Sequence, residues 1–297
     1  MPSFPGPNID HLFGPVSPSQ AAKGLSWALN RLSAVGATVP TTARPSLALT
    51  VLRRTDESMP ILRSTRNRRL LGESMKLAFE YYLVARAIQR PREGLPKRLH
   101  RALQLSYAGD LDPRARDEQS RRARDTQFEL WLAAWLTAGG RPVQFLEPDI
   151  RVTCWFAWYG VAAKRVQSPK GILPRVKEAA AQIERHGDRG FVALTIDAMS
   201  PHFTPRFATL RTARSYFTRL PELREAVEWC HASAPCVRGL VTLGTLLRWR
   251  TATSPPHAQL SWPMRIDMLP NDDRDQERFA SFWEETQSCF RRRVAGL

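Results

Sequence analysis

Two residues in the middle of the sequence are of types that hydrolytic chemistry uses. Asp149 follows Pro148 directly, and Lys164 lies 15 residues further on, in the stretch GVAAKR. A carboxylate can hold a divalent cation, and an amine can orient or deprotonate a water molecule. Each residue also has an ordinary explanation, since Asp149 could simply end a turn after proline and Lys164 could simply leave a strand end. Their pairing at this spacing favours a shared site.

A second carboxylate is needed, because one carboxylate alone holds Mg²⁺ weakly. Ala162, two residues before Lys164, would point to the same face of a strand, but its side chain cannot bind a cation. Glu178 lies 14 residues after Lys164 on a predicted helix, where it shares an edge with Gln182. Because Glu178 projects away from the apolar face of that helix, it can reach only a site at the helix margin.

Glu129 is the other candidate for the second carboxylate. It lies on the apolar side of a strongly hydrophobic helix, with Leu132 and Leu136 three and seven residues further on. A buried carboxylate is unfavourable unless it is paired or bound to a metal. Glu129 therefore either takes part in the site or forms a salt bridge to a core arginine.

Helices and strands alternate around these residues, which predicts an α/β fold for the middle third of the chain. The helix that carries Glu129 ends at Gly139-Gly140, a good stop signal. The N-terminal third has mostly helical spacing, with one short strand. The predicted elements are helices over 21–35, 70–89, 117–138 and 172–185, and strands over 48–52, 143–146, 152–158, 161–166 and 191–199.

Three stretches in this order, FELWLAAWLTAGGRPVQFLEPDI, GVAAKR and FVALTID, resemble the PD-(D/E)XK nuclease superfamily. The resemblance covers residues 117–199. It implies a restriction-endonuclease-like αβββαβ core that hydrolyses DNA phosphodiesters with Mg²⁺ or Mn²⁺, in bacterial defence or DNA processing. Helical N-terminal and mixed C-terminal additions would flank this core.

The resemblance also assigns roles to individual residues. It implies that Asp149, Lys164 and Glu129 are catalytic, and that Asp149, Glu129 and Glu178 bind the metal. Some members of the superfamily recruit the missing acid from the helix that follows the lysine, which is where Glu178 lies. Ala162 departs from the family motif, so a catalytically inactive DNA-binding or scaffold subunit stays open as an alternative. An RNA-directed nuclease also stays open.

Charge supports a nucleic-acid partner. The formal net charge is +16, and residues 1–116 contribute 18 basic and only 8 acidic side chains. Arginine suits phosphate because its planar fork donates two hydrogen bonds at once. The residues expected to contact nucleic acid are Arg165, Ser168 and Lys170 at a helix entrance, Gln182 on that helix, and Arg66, Arg68 and Arg69 in the N-terminal basic run.

Composition divides the chain into a basic, mainly helical region over 1–116, a nuclease-like core over 117–199 and an α/β extension over 200–297 that packs on the core. Apolar runs are too short to cross a bilayer, and no secretory signal is visible, which predicts a cytoplasmic protein without a membrane partner. The four cysteines fit neither a disulfide framework nor a zinc motif. A homodimer or a partner subunit stays open.

Overall fold

The computed structural model describes residues 13–57, 64–88, 95–154, 157–187, 189–199, 216–217, 219–250, 257–261, 264–269 and 273–294. By its contacts the chain divides into two compact units. The helical unit consists of the described residues within 12–135 and 247–260, and the sheet unit consists of those within 136–246 and 261–297. This division differs from the division by composition, whose boundaries lie at 116/117 and 199/200.

The helical unit is built on three packed helices, α1 (Pro18–Ala34), α2 (Arg44–Glu57) and α3 (Thr65–Ala87). A capping box between Ser17 and Gln20 starts α1. Helix α4 (Lys97–Ser106) and most of α5 (Glu118–Ala138) complete the helical part. A small sheet in the order β1-β8-β7 joins β1 (Phe13–Val16) to β8 (His257–Ser261) and β7 (Leu246–Arg250).

The prediction of a strand over residues 48–52 is wrong, because this stretch lies inside α2. Ala48, Leu52 and Thr55 are buried, and their spacing of four and three residues is that of one helix face. Helix α4 was not predicted at all. Its stretch is only ten residues long and rich in basic side chains, so the sequence was interpreted as a polar, basic connecting segment.

The sheet unit contains a six-stranded mixed sheet in the order β2-β3-β4-β5-β6-β9. Neighbours β4–β5 and β5–β6 are parallel, whereas β2–β3, β3–β4 and β6–β9 are antiparallel. The α/β class predicted from the sequence is therefore confirmed. The strands are β2 (Val143–Gln144), β3 (Ile150–Cys154), β4 (Ala157–Arg165), β5 (Gly190–Thr195), β6 (Val237–Leu243) and β9 (Met264–Met268).

Helices cover both faces of this sheet. Helix α6 (Ile172–Arg185) and helix α7 (Pro221–Ser233) pack with Val192 and Leu194 of β5 in one apolar cluster. Phe191, whose side chain alternates to the other face, meets Phe279, Phe282 and Trp283 of helix α8 (Asp273–Val294). The C-terminal region thus adds strands β6 and β9 to the sheet that contains β3 and β4.

The stretch 152–158 was predicted as one strand, but its residues belong to two strands. Residues 150–154 form β3 and residues 157–165 form β4, with Cys154 paired to Ala157 and Thr153 to Trp158. The continuous apolar run hides the hairpin, because none of its residues is a strong turn former. The predicted helix over 172–185 is confirmed. None of the helices among the described residues combines the length and apolarity that crossing a bilayer demands.

Candidate active site

The strand pairing fixes the Asp149 carboxylate. Asp149 directly precedes β3, and Ile150 pairs with Val161 of β4. Asp149 therefore lies beside the centre of β4, where its Oδ2 atom accepts a hydrogen bond from the Ala163 amide at 2.8 Å. The backbone of the neighbouring strand holds the carboxylate in place.

Lys164 lies at the edge of the space between β4 and α6. Ala162, on the same face of β4, is fully buried in the cluster under α6. The longer Lys164 side chain carries its ammonium group to oxygens of three side chains. Lys164 Nζ lies 2.7 Å from Gln182 Oε1, 3.5 Å from Glu178 Oε1 and 3.8 Å from Asp149 Oδ2.

Helix α6 supplies the second carboxylate of this group. Its buried stripe, which includes Val176, Ala180 and Ile183, faces the sheet. Glu178 and Gln182 are four residues apart at the margin of that stripe, so both can reach Lys164. Asp149 and Lys164 are largely buried, at 13% and 14% side-chain exposure, whereas Glu178 is half-exposed. The four residues Asp149, Lys164, Glu178 and Gln182 are named the acid–lysine cluster below.

Gln182 links the members of the acid–lysine cluster. Its Nε2 atom donates to Asp149 Oδ1 at 2.8 Å and also to the Pro148 carbonyl, while its Oε1 atom accepts from Lys164. Glu147 lies at the rim, 3.3 Å from Gln182 Nε2 and 3.8 Å from His186 Nε2. The sequence predicted Gln182 as a nucleic-acid contact and did not single out Glu147. The only signals were the i, i+4 spacing of Gln182 from Glu178 and the position of Glu147 next to Pro148.

The pKa values of the two carboxylates of the cluster are shifted in opposite directions. Burial raises the pKa of Asp149, although the charge of Lys164 and hydrogen bonds from Ala163 and Gln182 act in the other direction. Partial burial also acts to raise the pKa of Glu178. The hydrogen bond from Arg175 at 2.6 Å and the charge of Lys164 outweigh that effect and hold the pKa of Glu178 below its usual value.

The donor chemistry of the cluster fits a hard divalent cation. Two carboxylates and one amide oxygen converge on a single positive charge, the Lys164 ammonium group. Mg²⁺ takes oxygen ligands and commonly binds to one or two carboxylates while it keeps several water molecules. Across the described part of the chain, no group of three His, Cys, Asp or Glu side chains lies together as a metal site. The oxygens that the cluster could offer to Mg²⁺ are those of Asp149 and Glu178, with Gln182 Oε1.

The remaining predicted site residues of this region are Glu129, Arg165, Ser168 and Lys170. Glu129 is partly buried on the portion of α5 that belongs to the helical unit, and its catalytic and metal-binding roles stay predictions. Arg165 ends β4 and is partly buried. Ser168 and Lys170 are exposed at the 3₁₀ turn Pro169–Gly171, which leads into α6.

The N-terminal arginines differ among themselves. Arg66 and Arg68 are exposed at the start of α3. Arg69 instead forms a two-point ion pair with Asp112, with Nε–Oδ1 and Nη2–Oδ2 distances of 3.0 and 2.6 Å. Burial acts to raise the pKa of Asp112, but this pairing outweighs it and lowers the pKa. The guanidinium fork of Arg69 is thus already occupied within the protein.

Comparison of the chain with protein-family models, with curated proteins and with solved structures found no match.

Proposed function

We propose that the protein is a metal-dependent nuclease that hydrolyses DNA phosphodiesters at the acid–lysine cluster. One observation carries the proposal: Lys164 Nζ lies within 4 Å of two carboxylates that come from different elements, Asp149 before β3 and Glu178 on α6. The carboxylate that Ala162 cannot provide is thus replaced by one from the following helix. A lysine between two carboxylates can serve phosphodiester hydrolysis. The carboxylates can bind a cation, and the lysine can position the attacking water beside it.

The order of elements supports the same proposal. Helix α5, strands β2, β3 and β4, helix α6 and strand β5 follow one another as in the αβββαβ core of the PD-(D/E)XK superfamily. Asp149 precedes the second of these strands and Lys164 lies near the end of the third. These are the places where the superfamily carries its motif acid and motif lysine.

Each residue of the cluster has a distinct task in this proposal. When bound, Mg²⁺ supplies positive charge against the developing charge of the phosphate. Asp149 and Glu178 hold the cation, and the ion pair with Arg175 keeps Glu178 ionised. Lys164 positions the attacking water. Gln182 fixes Asp149 and Lys164 relative to each other through its two hydrogen bonds.

A DNA-binding subunit without catalytic activity is the second candidate. Both oxygens of Asp149 already accept hydrogen bonds, from Ala163 and Gln182, and Lys164 already bridges the two carboxylates. A cluster closed in this way can be stable without a metal. Such a protein would retain the basic surface and its affinity for DNA but would not cleave.

Substitutions in the cluster test the proposal. Asp149→Ala and Lys164→Ala should each lower Mg²⁺-dependent cleavage at least about 100-fold and leave DNA affinity nearly unchanged, because these groups act mainly in the transition state. Glu178→Gln should have a comparable effect. Glu184→Gln is the matched control, since Glu184 is an exposed glutamate on the same helix. Initial cleavage rates of supercoiled, linear and single-stranded DNA are the measurement.

Two outcomes would contradict the proposal in different ways. Wild-type activity of Glu178→Gln would remove the second acid assigned here. A wild-type protein that binds DNA and never nicks any form of it with Mg²⁺ or Mn²⁺ would leave the binding subunit as the function.

A further inference from the structure

An arginine–aromatic patch lies on two helices of the helical unit and takes no part in the acid–lysine cluster. Lys23, Trp27 and Arg31 are spaced four residues apart and form one line along α1. Tyr82 and Arg86, also four residues apart, lie on the adjoining part of α3. The Trp27 and Tyr82 ring centroids are 5.0 Å apart, so the two lines form one surface. These five residues are named the Trp27 patch.

The Trp27 patch presents an aromatic ring to solvent. Trp27 is 42% exposed, although an indole ring is normally mostly buried. The buried residues of α1, which include Leu25, Leu29 and Leu32, lie on another face of the helix. Trp27 is therefore not part of the apolar stripe that packs α1 into the unit.

Cations flank the rings of the Trp27 patch. The Arg31 guanidinium lies 5.6 Å from the centre of the Trp27 ring, and that of Arg86 lies 6.0 Å from the Tyr82 ring. Arg31 is also held by the C-terminal end of α3, where its Nε and Nη2 atoms donate to the Ala85 and Ile88 carbonyls at 2.6 and 3.1 Å. The arrangement is thus fixed before any ligand binds, which lowers the entropy lost on binding.

The two helices that carry the Trp27 patch, α1 and α3, present no negative charge at the surface. Helix α1 contains no Asp or Glu. The two acids of α3, Glu73 and Glu80, are buried at 2% and 5% exposure and contact Arg124 and Lys76. Every charged side chain that α1 and α3 present at the surface is therefore Lys or Arg.

We infer that the Trp27 patch binds an unpaired strand of nucleic acid, with a base stacked on Trp27 and with Lys23 and Arg86 against the flanking phosphates. An exposed ring flanked by cations matches the alternation of base and phosphate along a single strand. A duplex keeps its base faces stacked inside, so only the cations of the patch could contact it. This site is separate from the acid–lysine cluster, and its binding needs neither metal nor cleavage.

Binding of labelled oligo-dT to the full-length protein in EDTA tests this inference by fluorescence anisotropy. Trp27→Ala should weaken binding about tenfold or more, because stacking on one base is lost, whereas Trp27→Phe should retain most of the affinity. Leu47→Ala is the matched control, since Leu47 is equally exposed at 42% on α2 of the same unit. Lys23→Gln and Arg86→Gln should weaken binding and reduce its salt dependence, unlike Lys97→Gln on α4.

Thermal unfolding of each variant shows whether the helical unit is intact. A folded Trp27→Ala protein with wild-type affinity for both oligo-dT and oligo-U would overturn the inference, and so would an equal loss of affinity for a blunt duplex of the same length. If Trp27→Ala does not fold, the two charge variants decide. Wild-type affinity of both Lys23→Gln and Arg86→Gln, alongside wild-type affinity of Trp27→Phe, would then overturn the inference. A loss seen with oligo-U but not with oligo-dT would assign the patch to RNA. Asp149→Ala should bind oligo-dT like wild type. The binding test is therefore independent of the nuclease proposal.

Discussion

Among the neighbours of Asp149, Lys164 favours its ionised form most strongly. Burial raises the pKa of Asp149, and the lysine charge is the largest of the influences that oppose this rise. Between the pKa of the unfolded chain and that of the folded protein, the folded state binds more protons. The stability of the sheet unit due to Asp149 therefore falls as pH rises through this window.

Lys164→Met should consequently raise the pKa of Asp149 further above its ordinary value. The substitution keeps the length of the side chain but removes the positive charge 3.8 Å from Asp149 Oδ2. Carboxyl-carbon NMR titration of the metal-free protein measures the shift directly. Lys177→Met is the control, because Lys177 is exposed on α6 and instead lies over the Trp229 ring. A fall in the Asp149 pKa in Lys164→Met would contradict this electrostatic account.

The spacing of single residues predicted part of the cluster. The spacing of Asp149 and Lys164, together with the resemblance to the PD-(D/E)XK superfamily, led us to expect that they share a site. The approach of Glu178 to Lys164 could be stated only as an alternative, because a helical wheel gives direction but not the reach of two long side chains. The linking role of Gln182 depends on contacts with both Pro148 and Lys164, which no local pattern encodes.

Among the elements, the contact between β4 and β5 positions the strand that carries Lys164. Gly190, the first residue of β5, pairs with Gly160, and an added Cβ at 190 would overlap the Gly160 carbonyl oxygen. Because the obstructing atoms are backbone, the strands would have to move apart.

Gly190→Ala should therefore destabilise the sheet unit by about 2 kcal/mol or more. Gly171→Ala is the matched control at the start of α6, where an added Cβ would make only ordinary contacts, the nearest with Ser168 Oγ at 3.6 Å. Urea unfolding followed by far-UV circular dichroism gives both stabilities. Equal stabilities of the two variants would show that the strand contact tolerates a methyl group.

Sequence periodicity located three helices closely. Helices α1, α5 and α6 were predicted to within about three residues of their ends, whereas α3 begins five residues before its predicted start. The break between β3 and β4 was missed because no strong turn former marks it, and α2 was misassigned because a short apolar run is compatible with either a strand or a buried helix. Tertiary packing decides between them.

At the scale of the whole molecule, the net charge of +16 dominates the expected behaviour. Duplex DNA binding should weaken on the order of 1,000-fold between about 50 and 200 mM salt, if about six phosphates are contacted. Anisotropy titrations across this range with duplexes of unrelated sequence check it. An affinity that does not change with salt would remove the case for a phosphate-directed surface, and a strong dependence on sequence would indicate base contacts instead.

The partition into two units could not be predicted, because composition records charge and apolarity but not which distant segments pair. Strand β1 belongs to a sheet whose other strands, β8 and β7, come from residues after 245. No local signal near residue 13 identifies such a partner.

This pairing also constrains how the protein is made. A ribosome releases β1 early, but its partner β8 ends at Ser261, and β9, the edge strand of the larger sheet, ends at Met268. At about 5 to 20 residues per second, on the order of 10 to 50 s of synthesis separates β1 from β8. The chain crosses between the units at residues 135/136, 246/247 and 260/261. Neither sheet can be completed until residues 257–268 have emerged, so a nascent chain truncated before residue 257 would lack the central strand of one sheet and the edge strand of the other.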